Sequence, residues 1–153
     1  MLLKKIAPPV IRYGPAVVWM AVIFYLSHQP GSELESYLPF FQRLFPQLSS
    51  FNAGHYAAYF VLALTYYWAI GPTVPGWKGR LAALILSVLY GFTDEFHQMF
   101  VPDRTADWLD IRSDFAGALA AMILASLPPV RRTLARLMAA AGAKKYMQES
   151  GGP

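Results

Sequence analysis

The chain has 153 residues, enough for one domain, and 56% of them are apolar against 14% charged, too greasy a balance for an ordinary soluble domain. Its net charge of +4 sits on basic residues with no interleaved aromatic stripe, which argues against a nucleic-acid partner. There is no cysteine, so disulfides, thiolate metal sites and a cysteine nucleophile are excluded.

This composition predicts a single all-α domain over residues 1–153, an integral membrane bundle of about four transmembrane helices. The first apolar run, about 10–27, follows Lys4, Lys5 and Arg12 and imitates a secretory leader. It ends at Leu26, Ser27, His28 and Gln29 without a small-x-small cleavage site, so it reads as an uncleaved helix. His28, at the helix exit, reads as a solvated interface histidine. Next comes a segment with Leu34, Leu38, Phe41, Phe45 and Leu48 at spacings of three and four, interrupted by Pro39 and Pro46. It predicts a short amphipathic helix near Pro39 to Phe45, lying in the membrane interface of the first outer loop and part of a roof from Gly31 to Ser50.

The second span, about 53–70, is bounded by Asn52 and by a Gly- and Pro-rich turn from Gly71 to Gly76 that no helix survives. The third, about 81–101, is purely apolar only as far as Phe92. It reaches the length needed to cross about 30 Å of hydrocarbon only by including Asp94, Glu95, His97 and Gln98. The fourth, about 108–127, likewise needs Asp110, Arg112 and Asp114. The polar ends of both spans are therefore expected at membrane depth. Beyond Pro128 and Pro129, residues 130–153 alternate Arg131, Arg132, Arg136, Lys144 and Lys145 with Leu134, Leu137 and Met138, the pattern of a basic amphipathic helix on a cytoplasmic surface.

Orientation follows from charge. The N-terminus, the turn between the second and third spans, and the tail hold ten of the thirteen basic residues, whereas eight of the nine acids, all but Glu149, fall on the opposite side. The positive-inside rule then puts both termini in the cytoplasm and the acids at the outer face of a plasma membrane.

Four polar clusters meet that outer face: Ser27 with Gln29, Asn52 with His55 and Tyr59, Asp94 to Gln98, and Arg104 with Asp107, Asp110 and Asp114. Within each helix the spacings of three and four put the polar groups on one stripe, and ionisable groups at membrane depth face the bundle interior or a wet cavity. Ser27-x-Gln29, His55-x-x-x-Tyr59, the Asp94–Glu95–x–His97–Gln98 run followed by Pro102 and Arg104, and the spaced acids Asp107, Asp110 and Asp114 before Gly117 together resemble the VanZ-like family. The resemblance covers roughly Trp19 to Ala125. It implies a small bacterial inner-membrane protein of the cell envelope, named after an accessory protein that lowers sensitivity to the glycopeptide antibiotic teicoplanin, and it brings no accepted biochemical activity. Relatives often carry Lys where this chain has Asn52 and Asn where it has Asp114, so the acid cluster here is more negative and leaves a shared proton or a cation to offset it.

Several chemistries suit these residues. In an acid–base reading Glu95 or Asp94 is the base and His97 or His55 its proton partner, while Arg104 anchors an anionic head group. Gln98, Tyr59, Ser27, Gln29, Asp107, Asp110 and Asp114 complete that substrate-binding surface. In a purely structural reading Arg104 pairs with Glu95 or Asp107 and the network fixes helix register. A divalent metal on His55, His97 and Glu95 is a third reading, although no paired-histidine metal motif is present and no cofactor is expected. Conduction of protons or ions along the polar stripes is a fourth. The leading expectation is a protein that binds or processes an envelope lipid or lipid-linked precursor, with membrane lipids as partners. Whether it is an enzyme stays open. The rival is a non-catalytic scaffold that meets partner helices, or a second copy of itself, through the small-residue face Gly117, Ala121 and Ala125.

Overall fold

The structure is a computed structural model that describes residues 3–44 and 52–138. The described part is all-helical: α1 (Leu3–Ser27), α2 (Gly31–Leu44), α3 (Asn52–Ile70), α4 (Trp77–Gln98), α5 (Trp108–Ser126) and α6 (Pro128–Met138). The expected spans correspond to α1, α3, α4 and α5, with shifted ends. Helix α1 starts well before residue 10, and α4 starts at Trp77 and stops at Gln98, where the backbone turns through Met99 to Val101. Among the described residues one helix, over Val10–Ser27, is by itself long and apolar enough to cross a membrane, and α5 with α6 passes only as a bent pair, because the polar and tyrosine-rich ends of α3, α4 and α5 lower their hydropathy.

Helix α3 is the hub. At one end Arg12 of α1 donates to the Ala69 carbonyl and, at 2.7 Å, to the Thr73 hydroxyl. Nearer the other end, the Trp19 indole donates to the Ala58 carbonyl at 2.8 Å and Ile23 packs with Tyr59 and Leu62. Helix α1 therefore runs antiparallel to α3. So does α4, whose Gly79 abuts Val74 and Tyr67 while Asp94 reaches Tyr59. Helix α5 runs parallel to α3, with Asp114 at His55. The C-terminal ends of α1 and α4 thus meet the N-terminal ends of α3 and α5, and the sequence's polar clusters arrive at one end of the bundle.

Small residues make the core. Ala63, Ala83, Ala118, Ala121 and Ala125 are fully buried around Tyr67 and Met122. Gly117 lies directly against the backbone of Tyr56, where a β-carbon would collide with the Tyr56 carbonyl oxygen. Such residues let helix backbones approach closely, which large side chains forbid. The face Gly117, Ala121 and Ala125, expected to meet a partner helix or second copy, is thus consumed inside the chain by α3.

Helix α2 begins at Gly31, well before the expected Pro39, and continues through that proline. Its start is tied to the turn after α4: the Gly31 amide donates to the Pro102 carbonyl at 3.3 Å and the Ser32 hydroxyl to Asp103 at 3.2 Å. Asp103 holds a left-handed φ of 57°, a conformation that Asp tolerates better than most residues. The expected apolar face through Leu34, Leu38 and Phe41 falls on side chains outside the description, as do Phe45, Pro46, Leu48 and Ser50. Helix α6 bends away from α5 by 88° and buries Met138 beside Tyr67 and Gly71, leaving its basic residues exposed. The tail beyond Met138, with Lys144 and Lys145, also lies outside the described residues.

The tight α3–α5 contact predicts that Gly117→Ala lowers stability by about 1–3 kcal/mol through overpacking. Gly54→Ala, whose added β-carbon meets nothing within 4 Å, is neutral or stabilising by up to about 1 kcal/mol. Thermal unfolding followed by circular dichroism in detergent measures both, and equal stability of the two variants contradicts the packing.

Candidate functional site

The polar end of the bundle holds two separate groupings, divided by helix α4. Residues Glu95 and His97 are two apart, so their side chains diverge by about 200° around a helix of 3.6 residues per turn. Glu95 points toward α3 and α5, and His97 toward α1.

On the α1 side, His97 Nε2 stands 3.2 Å from His28 Nδ1, and Phe24 packs on the His97 ring at 4.4 Å between centroids. Buried Gln98 donates to the Ser27 hydroxyl at 2.8 Å. Tyr59, completely buried, donates to Asp94 Oδ2 at 3.4 Å. The stripe expected for Asp94, His97 and Gln98 is real, but it faces α1 and α3, and it separates His97 from Glu95 and His55. His28, read from sequence as a solvated histidine, is the partner of His97.

On the other side, His55 is held between two carboxylates of α5. Its Nδ1 lies 3.0 Å from Asp114 Oδ1 and its Nε2 lies 3.7 Å from Asp110 Oδ2. The position of Asp114 follows from the packing: it sits one turn before Gly117, and the Gly117 contact seats it against the residue preceding Tyr56. Asp110 comes one turn earlier on the same face. Gly91 of α4 leaves room for this pair, since a β-carbon there would stand 2.8 Å from Asp114 Oδ2. Sequence reading passed over Gly91, which carries no polar signal of its own.

Glu95 closes the cluster from α4. Its Oε2 accepts the Asp107 backbone amide at 2.7 Å, while Asp107 caps α5 by accepting the Leu109 amide at 2.8 Å. Asp107 is therefore a capping residue that leaves the following Asp110 and Asp114 to face His55. One oxygen each of Glu95, Asp110 and Asp114 is buried without a hydrogen-bond partner.

Arg104 does not neutralise these acids. Its Nε donates to the Gln29 carbonyl at 3.4 Å, and among the described residues the ion pairs of the cluster are those of His55 alone. The pairing of Arg104 with Glu95 or Asp107, which a register lock requires, is absent. Gln29 turns its own side chain to the Tyr25 carbonyl at 3.1 Å. The side chain of Asn52 lies outside the description.

The fold and site define a small all-helical bundle in which four helix ends gather carboxylates and a histidine on one side. A family model described as VanZ/LLP1 matches residues 14–129, and the chain belongs to that family. No curated protein and no solved structure matches the chain.

Because Gln can still accept the Asp107 amide and Ala cannot, Glu95→Gln should fold with little loss, whereas Glu95→Ala should lose about 1–3 kcal/mol. Denaturation of the two variants side by side checks this. An Ala variant as stable as wild type would remove Glu95 from the α5 cap.

Proposed function

We propose that this chain is a four-span membrane protein with cytoplasmic termini, whose acidic and histidine-bearing end faces outward and binds or processes an anionic envelope lipid or lipid-linked precursor. The observation that carries this reading is the convergence of His55, Glu95, Asp110 and Asp114 at one end of a bundle whose outer surface is apolar. Val17, Val18, Ile85, Leu89, Phe96, Phe115 and Ile123 are exposed on α1, α4 and α5. An apolar surface of that extent on a chain alone marks a membrane or partner contact. Helices of 19 to 25 residues rise about 28–37 Å, which matches a hydrocarbon core of about 30 Å. Ionisable groups buried in such a setting are costly and default to a functional role.

In this reading α1, α3, α4 and α5 are the spans, and the basic residues of α6 lie at the cytoplasmic surface. Glu95 is the base and His55 its proton partner. Arg104, half-exposed at the same end, supplies a positive charge for a phosphate oxygen. Asp94, Tyr59, Ser27 and Gln98 form an inner hydrogen-bonded layer that holds the ends of α1, α3 and α4 together, with His97 at its margin. An altered supply of a lipid-linked precursor is the route by which such a protein would change teicoplanin sensitivity.

Native mass spectrometry of the chain purified with its bound lipids tests the reading. Wild type is expected to retain an anionic lipid adduct that Glu95→Gln and Arg104→Ala each reduce about tenfold, a loss of roughly 1.4 kcal/mol in affinity. Identical adducts in all three proteins, together with unchanged teicoplanin susceptibility of cells expressing them, would sink it.

A further inference from the structure

The cluster on the α5 side of α4 has the geometry of a metal site. We propose that His55, Glu95 and Asp110 bind a divalent cation of the zinc–manganese class, with Asp114 as the group that orients His55.

Four observations on the molecule lead there. Ligand-capable atoms of His55, Glu95 and Asp110 all lie within 4.8 Å of one another, and they come from three different helices. Two ligands on one tetrahedral ion at about 2.0–2.1 Å stand about 3.3 Å apart, so the 3.7 Å between His55 Nε2 and Asp110 Oδ2 is too long for a hydrogen bond and near the separation of two ligands. His55 Nδ1 stands 3.0 Å from Asp114, and with Asp114 ionised this contact takes the proton on Nδ1 and leaves the Nε2 lone pair free toward Asp110. A carboxylate that fixes the far nitrogen of a histidine ligand is the usual outer support of such ions. Finally, Glu95 is 4% exposed and Asp114 1% exposed, yet each keeps a buried oxygen with no partner. Buried carboxylate oxygens of that kind call for a charge to meet them.

The charge ledger points the same way. Glu95, Asp110 and Asp114 are gathered around one imidazole, and among the described residues no arginine or lysine forms an ion pair with them. A nitrogen and two carboxylates suit zinc or manganese better than calcium or magnesium, which favour all-oxygen shells. Three protein ligands also leave coordination positions open for water or a phosphate oxygen. That last use rests on the lipid reading above, because the ion supplies positive charge that an acidic site lacks toward a phosphate. Binding of the ion itself does not rest on it; with the ion in place Glu95 and His55 serve as its ligands and not as the acid–base pair.

The test uses the full chain purified in detergent, stripped with chelator and titrated with Mn²⁺ under electron paramagnetic resonance, with Zn²⁺ as competitor. One Mn²⁺ per chain is expected, displaced by Zn²⁺. His55→Ala and Asp110→Asn should abolish binding, Asp114→Asn should weaken it about 10–100-fold, and His28→Ala, on the far side of α4, should leave it unchanged. Electron spin echo modulation of wild-type Mn²⁺ should show a single imidazole nitrogen, a readout that needs no variant to fold. Absence of a retained ion, absence of nitrogen coupling, or binding that survives His55→Ala overturns the site. Ion binding without a lipid adduct leaves this site standing and removes the lipid reading, and the converse result does the opposite.

Discussion

The close approach of α3 and α5 governs everything at the polar end. Gly117 rests on the backbone of Tyr56 with no room for a β-carbon, and the alanines that follow it on α5 keep the two helices together along their length. With that crossing fixed, Asp114 and Asp110 have one place to go, beside His55. The 3.0 Å contact between His55 and Asp114 is a result of the helix packing and in turn locks the rotation of α5. Glu95 then joins the same arrangement by accepting the amide of the residue that caps α5. One glycine contact thus sets the geometry of three carboxylates and a histidine drawn from three helices.

Beside Tyr59, Leu62 and Tyr67, small and polar side chains fill much of the interior, and many large apolar ones lie outside. Ser87, Ser113, Asp94, Glu95, Gln98 and Asp114 are buried, whereas Val18, Tyr25, Leu89, Phe100 and Trp108 are exposed. A water-soluble bundle distributes its residues the other way, since burying large apolar side chains is its main source of stability. In lipid the apolar exterior costs nothing and close packing of small residues becomes the main adhesive. The unpartnered carboxylate oxygens remain the expensive feature. Their expense is reason to read the cluster as a site that meets a charge from outside the chain.

Much of this was legible in the sequence. The Gly71 to Gly76 turn and the run of alanines after Asp114 mark helix ends and packing faces directly. The polar clusters announce themselves because charged residues are scarce elsewhere in the spans. What the sequence did not reveal was rotation. Residues Asp94 to Gln98 read as one cluster, yet a helix of 3.6 residues per turn sends Glu95 and His97 about 200° apart, to opposite sides. The sequence pattern therefore suggested His55 and His97 in one site, whereas His97 pairs with His28 across α1. Arg104 misled in a similar way. Its charge suggested an ion pair with the acids, but the turn after α4 carries it to the carbonyl of Gln29. The α5 face of Gly117, Ala121 and Ala125 looked free because the small-residue signal does not say which helix will cover it.

The most direct test of an outward-facing acidic end uses the chain's lack of native cysteine. Glu33→Cys, in α2 beside that end, and Lys78→Cys, at the start of α4 on the opposite end, are each exposed positions. In intact bacterial cells a membrane-impermeant maleimide should label Glu33→Cys at once and Lys78→Cys only after the membrane is permeabilised. Labelling of Lys78→Cys in intact cells with Glu33→Cys protected would turn the site to the cytoplasm. Equal labelling of both, in intact or in broken cells alone, would mean that no membrane separates the two ends of the bundle.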